Sequence, residues 1–303
     1  MKKILASDGL DQSAVKALEE AGFETVLEHY GPDELPEKIG AFDALVVRSA
    51  TKVRKPLIDQ AVSSGRLKLI IRAGVGVDNI DVDYACEKGL TVKNTPNASS
   101  ASVAELAVGH MFAAARHIHI ANVTMRNGEW NKKQYKGIEL SGKTLGLIGM
   151  GRIARETALR AQALGMQVIY TNRSGHKPEY EPFRHCTLDA LLAESDFISL
   201  HLPKPQGEGY LIGERELSLM KDGAVLINTA RGGLVDEDAL CDALDSGKLS
   251  AAAVDVFAEE PANNRRLTSH PKVSVTPHIG ASTKEAQLRI GREIVDIIKE
   301  FFA

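Results

Sequence analysis

Short apolar runs alternate with stretches of helical periodicity along the whole chain. Residues 4–6, 23–27, 44–47, 69–71 and 91–92 read as short strands alternating with helices. Between the first two, Ala14, Val15, Ala17 and Leu18 mark one face of a helix that stops at Gly22; another helix is expected near 33–39. A long helix is expected from Ser102 to about His117, with Glu105 as the capping partner of Ser102. The second half repeats the rhythm, with strands at 145–148, 168–170, 197–200, 224–228, 252–256 and 273–275 and an amphipathic helix over 236–246. A last helix from about Lys284 has to return to the first domain to complete it. The alternation predicts an α/β protein with two doubly wound parallel-sheet domains, the second a Rossmann dinucleotide-binding domain. The crossing is placed at Thr95-Pro96-Asn97, giving a substrate-binding domain of 1–94 plus 283–303 and a nucleotide-binding domain of 95–282.

The stretch from Thr144 to Ser174 carries the strongest chemistry. A buried strand runs without a break into Gly149-Met150-Gly151-Arg152-Ile153-Ala154, which opens a helix with apolar residues at 153, 154, 158, 161 and 164. Gly149 permits a conformation that a side chain resists, and Gly151 allows a pyrophosphate to approach the main chain. Ala154 is small enough for close helix–strand packing. The helix start offers unpaired N–H groups and a positive dipole end. Arg152 and Ile153 are therefore placed in the cofactor site with both glycines.

The second strand of this unit ends in Thr171-Asn172-Arg173-Ser174. An acidic residue there would accept hydrogen bonds from the adenosine ribose of NAD. Asn172 does not repel a 2′-phosphate, while Arg173 can pair with one and Ser174 can donate to it. The cofactor is thus NAD(P) with a lean toward NADP; ordinary NAD use with Arg173 solvated is the alternative.

With 303 residues the chain has room for two cores, and 44% hydrophobic with 25% charged residues is ordinary for a soluble protein. The net charge of −3 and the lack of a basic block imply no nucleic-acid partner. No apolar run reaches the roughly eighteen residues of a membrane span, and the start lacks a signal-like apolar segment. Cys86, Cys186 and Cys241 form no CxxC pair, which suits a reducing cytoplasm. No metal is expected; His117 and His119, if helical, point to different faces.

Functional residues of such sheets lie beyond the carboxyl ends of strands. Arg48 and Ser49 follow one strand of the first domain and Arg72 another, a candidate anion site. The run from Arg72 to Asp81 contains Gly74, Val75 and Gly76, glycines too close for a second nucleotide turn, and reads as a loop whose bare main chain meets a ligand. In the second domain Arg231, Glu260 and His278 all sit after strands. Reducing a 2-oxo acid requires a cation to hold its carboxylate, which an arginine fork does, and an acid to protonate its carbonyl oxygen, which histidine does near neutral pH. A carboxylate beside that histidine orients it and favours its protonated form.

The motifs VVRSATKV (46–53), RAGVGVDNID (72–81), NTPN (94–97), GLIGMGRIA (146–154), NTARGGLVDE (228–237), DVFAEEP (255–261) and PHIGAST (277–283) together resemble the D-isomer-specific 2-hydroxyacid dehydrogenases. The resemblance spans essentially the whole chain. It implies Arg231 as the substrate arginine, His278 as the acid/base and Glu260 as its support. It also implies Asp255 as the residue that holds the nicotinamide amide. His201, Pro203, Thr229, Ala230 and Gly280, at the strand ends of the same domain, complete the expected cofactor contacts.

Arg48 and Arg72 match the branch of that family that oxidises 3-phospho-D-glycerate to 3-phosphohydroxypyruvate on the way to serine. Ser99 is placed at the substrate. Lys132, in the polar arm after Trp130, resembles a basic residue that reaches a neighbouring subunit, which implies a homodimer through the nucleotide domain. The chain departs from the pattern at Asn172, at Val75, at Ser99 and in residues 203–213, and with its end at 303 no regulatory domain of the kind longer relatives carry is expected. Two other readings stand beside this one: an NADPH-dependent glyoxylate or hydroxypyruvate reductase of the same superfamily, and a non-catalytic nucleotide-sensing protein.

Overall fold

The computed structural model describes residues 1–204 and 209–303. It divides into two compact units, Met1–Ser99 with Ala281–Ala303, and Ser100–Gly280. In the first, β1 (Lys3–Ala6), β2 (Glu24–Val26), β3 (Ala44–Val47), β4 (Leu69–Arg72) and β5 (Thr91–Asn94) form a parallel sheet in the order β2-β1-β3-β4-β5. Successive side chains face opposite sides of a strand, so one short sequence serves two cores. Ile4, Ala6, Ala44, Val46, Leu69 and Ile71 pack against the helices Gln12–Glu20 and Lys284–Phe302. Leu5, Leu45, Val47 and Ile70 pack against the helix Lys55–Ser63 on the other face.

The second unit contains β6 (Thr144–Ile148), β7 (Gln167–Thr171), β8 (Arg184–His185), β9 (Phe197–Leu200), β10 (Ala224–Asn228), β11 (Leu249–Val254) and β12 (Val273–Val275). Their order is β12-β11-β10-β9-β6-β7-β8 and every pairing is parallel. The unit's first strand, β6, lies between β7 and β9, where the winding reverses; this is the switch point at which doubly wound sheets bind ligands. The central strands of both sheets are buried on both faces, the reason they are continuous apolar runs rather than alternating ones, while the edge strands β2, β5 and β8 are more exposed and more polar.

The structure corrects several local expectations. The long helix is Ser100–Ala115, so Ser102 is a buried residue of its first turn and not its cap. Glu105 is drawn instead to Arg160 on the helix Arg152–Ala163, at 3.2 Å. His117 is not helical: its φ of 53° breaks the chain between that helix and Ile118–Arg126, where His119 lies. β11 stops at Val254, before Asp255. The helix expected near 33–39 is a single turn, Leu35–Lys38, followed by a tighter one, Ile39–Ala41. Among the described residues no helix is long and apolar enough to cross a membrane, and no group of three His, Cys, Asp or Glu could hold a metal ion. The part of the 203–213 departure at residues 205–208 lies outside the described residues.

Gly146, inside β6, shows how tightly the second unit is packed. A Cβ there would come within 2.2 Å of Ser195 Oγ and 2.6 Å of Leu191 Cδ2, beneath the helix Leu188–Glu194. Gly146→Ala is expected to cost about 1–3 kcal/mol by overpacking. A lowered midpoint in denaturant unfolding would show it; a wild-type midpoint would mean the helix moves aside freely.

Candidate active site

The glycine turn after β6 is built by contact with the end of β9. Gly149 has φ +94°, and a Cβ on it would lie 2.3 Å from the His201 carbonyl oxygen, so glycine is required twice over. Gly149 N–H donates to Thr171 O at 2.8 Å, and His201 N–H donates to Ile148 O at the same distance. Gly151 is the N-cap of the helix Arg152–Ala163; no side chain caps that end, and a Cβ on Gly151 would meet open space. At the end of β7, Asn172 Oδ1 is buried without a hydrogen-bond partner, as is Thr229 Oγ1 after β10, while Arg173 and Ser174 are exposed. An uncapped helix start and two orphaned polar atoms at strand ends fit a dinucleotide, because its phosphates and hydroxyls supply the missing partners. The His201 imidazole bonds Ser199 Oγ at 2.9 Å, and burial pushes its pKa down to about 4, so it is uncharged at neutral pH.

Arg231, Glu260 and His278 come from three loops of this unit, and two close approaches bring them together. Gly232 lies so near the main chain after β11 that a Cβ would be 1.6 Å from the Phe257 carbonyl oxygen. That seats the Arg231 loop against the segment leading to Glu260. The second is the Asp255 carboxylate, 1% exposed. It accepts Thr276 Oγ1–H at 2.6 Å, Ile279 N–H at 2.9 Å and Gly280 N–H at 2.9 Å, while Asp255 O accepts His278 N–H at 2.8 Å. These bonds hold His278 at φ 52°, a left-handed conformation uncommon for a residue with a side chain.

His278 Nδ1 then lies 2.8 Å from Glu260 Oε2. Burial alone would raise the Glu260 carboxyl. The hydrogen bond and charge of His278, the Phe257 N–H and the Arg231 charge outweigh it and hold the carboxyl below its usual range. An ionised carboxylate only accepts, so His278 carries its proton on Nδ1 here and presents Nε2 outward. Sequence reading missed the anchoring part of Asp255: its bonds reach 21 to 25 residues along the chain, and no local spacing signals them.

The other candidates belong to the first unit, apart from Lys132, which is exposed in the irregular segment 129–139 of the second. Val47 and Arg72 are register partners on β3 and β4, so Arg48 and Arg72 leave neighbouring strand ends. The Arg48 loop is braced from both sides. Asp8 accepts the N–H groups of Arg48 and Thr51, at 2.7 and 3.1 Å, and the Thr51 hydroxyl at 2.7 Å. Asn79 donates to the carbonyls of Arg48 and Thr51, both at 2.7 Å. The Arg72 guanidinium lies across Gly74, where a Cβ would be 1.5 Å from its Nη1. Asn94 fixes Val75 through its carbonyl at 2.6 Å, Gly76 follows in the same loop, Ser49 is exposed and Ser99 is buried.

Residues 108–280 match the family model for the D-isomer specific 2-hydroxyacid dehydrogenase, NAD binding domain. The chain belongs to that family. It is 49% identical to a hydroxypyruvate reductase of Thermotoga maritima, over 98% of each chain. It is 48% identical to a D-3-phosphoglycerate dehydrogenase of Methanocaldococcus jannaschii over 99% of its own length, and spans 57% of that relative. The crystal structure of a glyoxylate reductase from Paecilomyes thermophila superposes with a TM-score of 0.89 at 34% identity, covering 98% of this chain and 94% of the other. The chain is an oxidoreductase of the 2-hydroxyacid dehydrogenase type with a Rossmann NAD-binding domain.

The Glu260 environment makes a pH prediction. Its folded-state pKa is below the ordinary 4.5, so the carboxylate's stabilisation is complete above 4.5 and is lost as pH falls through the depressed value. Glu260→Gln should therefore be less stable than wild type at pH 7, with the gap closing in acid below that value. Denaturant midpoints at both pH values measure this; a gap that widens in acid would reverse the assignment.

Proposed function

We propose that the chain interconverts 3-phospho-D-glycerate and 3-phosphohydroxypyruvate, the oxidation that opens serine synthesis, with NAD(P). The observation that carries this reading is the pair of arginines at adjacent strand ends, Arg48 on a loop braced by Asp8 and Asn79, and Arg72 laid across Gly74. We assign them to the substrate phosphate, with Ser49, Gly74, Val75, Gly76, Ser99 and, from a second subunit, Lys132 as further substrate contacts. Arg231 holds the substrate carboxylate in a fixed orientation.

In the oxidative direction His278 Nε2 accepts the hydroxyl proton, and in reduction it returns a proton to the carbonyl oxygen. Glu260 keeps Nδ1 protonated and stabilises the imidazolium that forms. When bound, a nicotinamide would supply the hydride chemistry, accepting the hydride in oxidation and donating it in reduction. Gly149, Gly151, Arg152 and Ile153 would hold the pyrophosphate; His201, Pro203, Thr229, Ala230, Asp255 and Gly280 would complete the cofactor contacts. Asn172, Arg173 and Ser174 favour NADP, because the strand end offers a neutral amide and an exposed guanidinium in place of a carboxylate. The exposed side chains of Ile118, Val123, Met125 and Trp130 support a homodimer through the nucleotide-binding unit. The three free thiols suit the cytoplasm.

A second reading, NADPH-dependent reduction of hydroxypyruvate or glyoxylate, is favoured by the 49% identity to a hydroxypyruvate reductase along both whole chains. The two part on one comparison: kcat/KM for 3-phosphohydroxypyruvate against hydroxypyruvate, each with saturating NADPH and with NADH. We expect preference for the phosphorylated acid by about 10²-fold or more, as a charge-paired group lost from a built site costs several kcal/mol. Equal values, or preference for hydroxypyruvate, would make the reductase the better description.

A further inference from the structure

His110 is a buried histidine with no assigned part in the chemistry, 3% exposed on the helix Ser100–Ala115. Both ring nitrogens are engaged inside the second unit: Nδ1 lies 3.2 Å from Ser274 Oγ on β12, and Nε2 lies 3.0 Å from Thr276 Oγ1 just beyond it. Thr276 spends its one hydroxyl proton on Asp255 Oδ1 at 2.6 Å. Toward His110 the hydroxyl can therefore only accept, so the imidazole must carry its proton on Nε2. Burial pushes the His110 pKa down against the opposing pull of Asp255, leaving a neutral ring whose Nδ1 lone pair receives the Ser274 hydroxyl. Donors and acceptors then match at every link, from Ser274 through His110 and Thr276 to Asp255.

We propose that His110 is a positioning residue for the candidate acid/base. By holding Thr276 in its donating rotamer, it orients the Asp255 carboxylate, which fixes the Ile279 and Gly280 amides and with them the turn that carries His278. The proposal rests on the reading of His278 as the proton-transfer group. A relay of this kind acts by geometry: a hydroxyl free to rotate would share its proton among acceptors, and the carboxylate would lose one of its three donors. Misplacement of His278 by a fraction of an ångström would lower kcat while leaving substrate binding through Arg231 intact.

The test uses Thr276→Val, which keeps the shape and removes the hydroxyl, Thr276→Ser, which restores it, and His110→Leu. Amide hydrogen exchange at Ile279 and Gly280 is read beside kcat and KM, with the helix Glu237–Asp245 as a control for folding. In the Val and Leu variants we expect both amides to exchange about tenfold faster, and kcat to fall about tenfold at unchanged KM for the oxo acid. The Ser variant should match wild type. Wild-type exchange at both amides in both variants would overturn the relay, and faster exchange with wild-type kcat would overturn the positioning role. A wild-type protein inactive on every 2-oxo acid tried would count against the functional reading alone, since amide exchange still decides the relay.

Discussion

A buried carboxylate organises the second unit. Removing Asp255 from water costs several kcal/mol unless each oxygen is matched, and here three donors match it, two of them main-chain amides. Those donors lie on residues 276–280, while the Asp255 N–H reaches back to Asn228 O at the end of β10. One residue thus ties the end of β10, through its main-chain N–H, and the segment after β12, through its carboxylate, to the end of β11. The left-handed turn at His278 follows from that demand, and so does the 2.8 Å approach of its ring to Glu260.

The first unit solves a related problem with neutral partners on one side and a charge on the other. Asp8 takes the N–H groups of the Arg48 loop and Asn79 feeds its carbonyls, so a loop between β3 and the helix Lys55–Ser63 has its main chain satisfied at the tip. A loop fixed in this way presents its arginine without a large ordering cost on binding. Each unit therefore carries a candidate functional side chain, Arg48 or His278, on a loop held by side-chain-to-backbone hydrogen bonds.

The strands were legible because parallel sheets covered on both faces require continuous apolar runs, and 197–200, 224–228 and 273–275 coincide with β9, β10 and β12. The glycine turn was legible because its spacing serves local geometry. Pairings set by tertiary distance were not. Glu105 looks like a cap in sequence, yet it meets Arg160, 55 residues away. His110 sits among apolar helix residues, and its partners lie 164 and 166 positions on. β8, two residues long, carries too little pattern to be seen, and the helix Leu188–Glu194 is shorter than two turns of reliable periodicity. Arg231, Glu260 and His278 could be picked out as candidates because each lies on a loop that follows a strand, beyond β10, β11 and β12, where doubly wound sheets put their chemistry.

We propose that His278, held by Asp255 and oriented by Glu260, moves the proton that accompanies hydride transfer. The most direct measurement is the single-turnover rate of His278→Ala with a 2-oxo acid, alongside the dissociation constant of the reduced cofactor. We predict a loss of about 10²-fold or more in the rate, the range expected when a general acid is removed. Cofactor affinity should be that of wild type, because the Gly149–Gly151 turn is untouched. A variant that turns over within about tenfold of wild type would contradict the account, since a general acid contributes more than that.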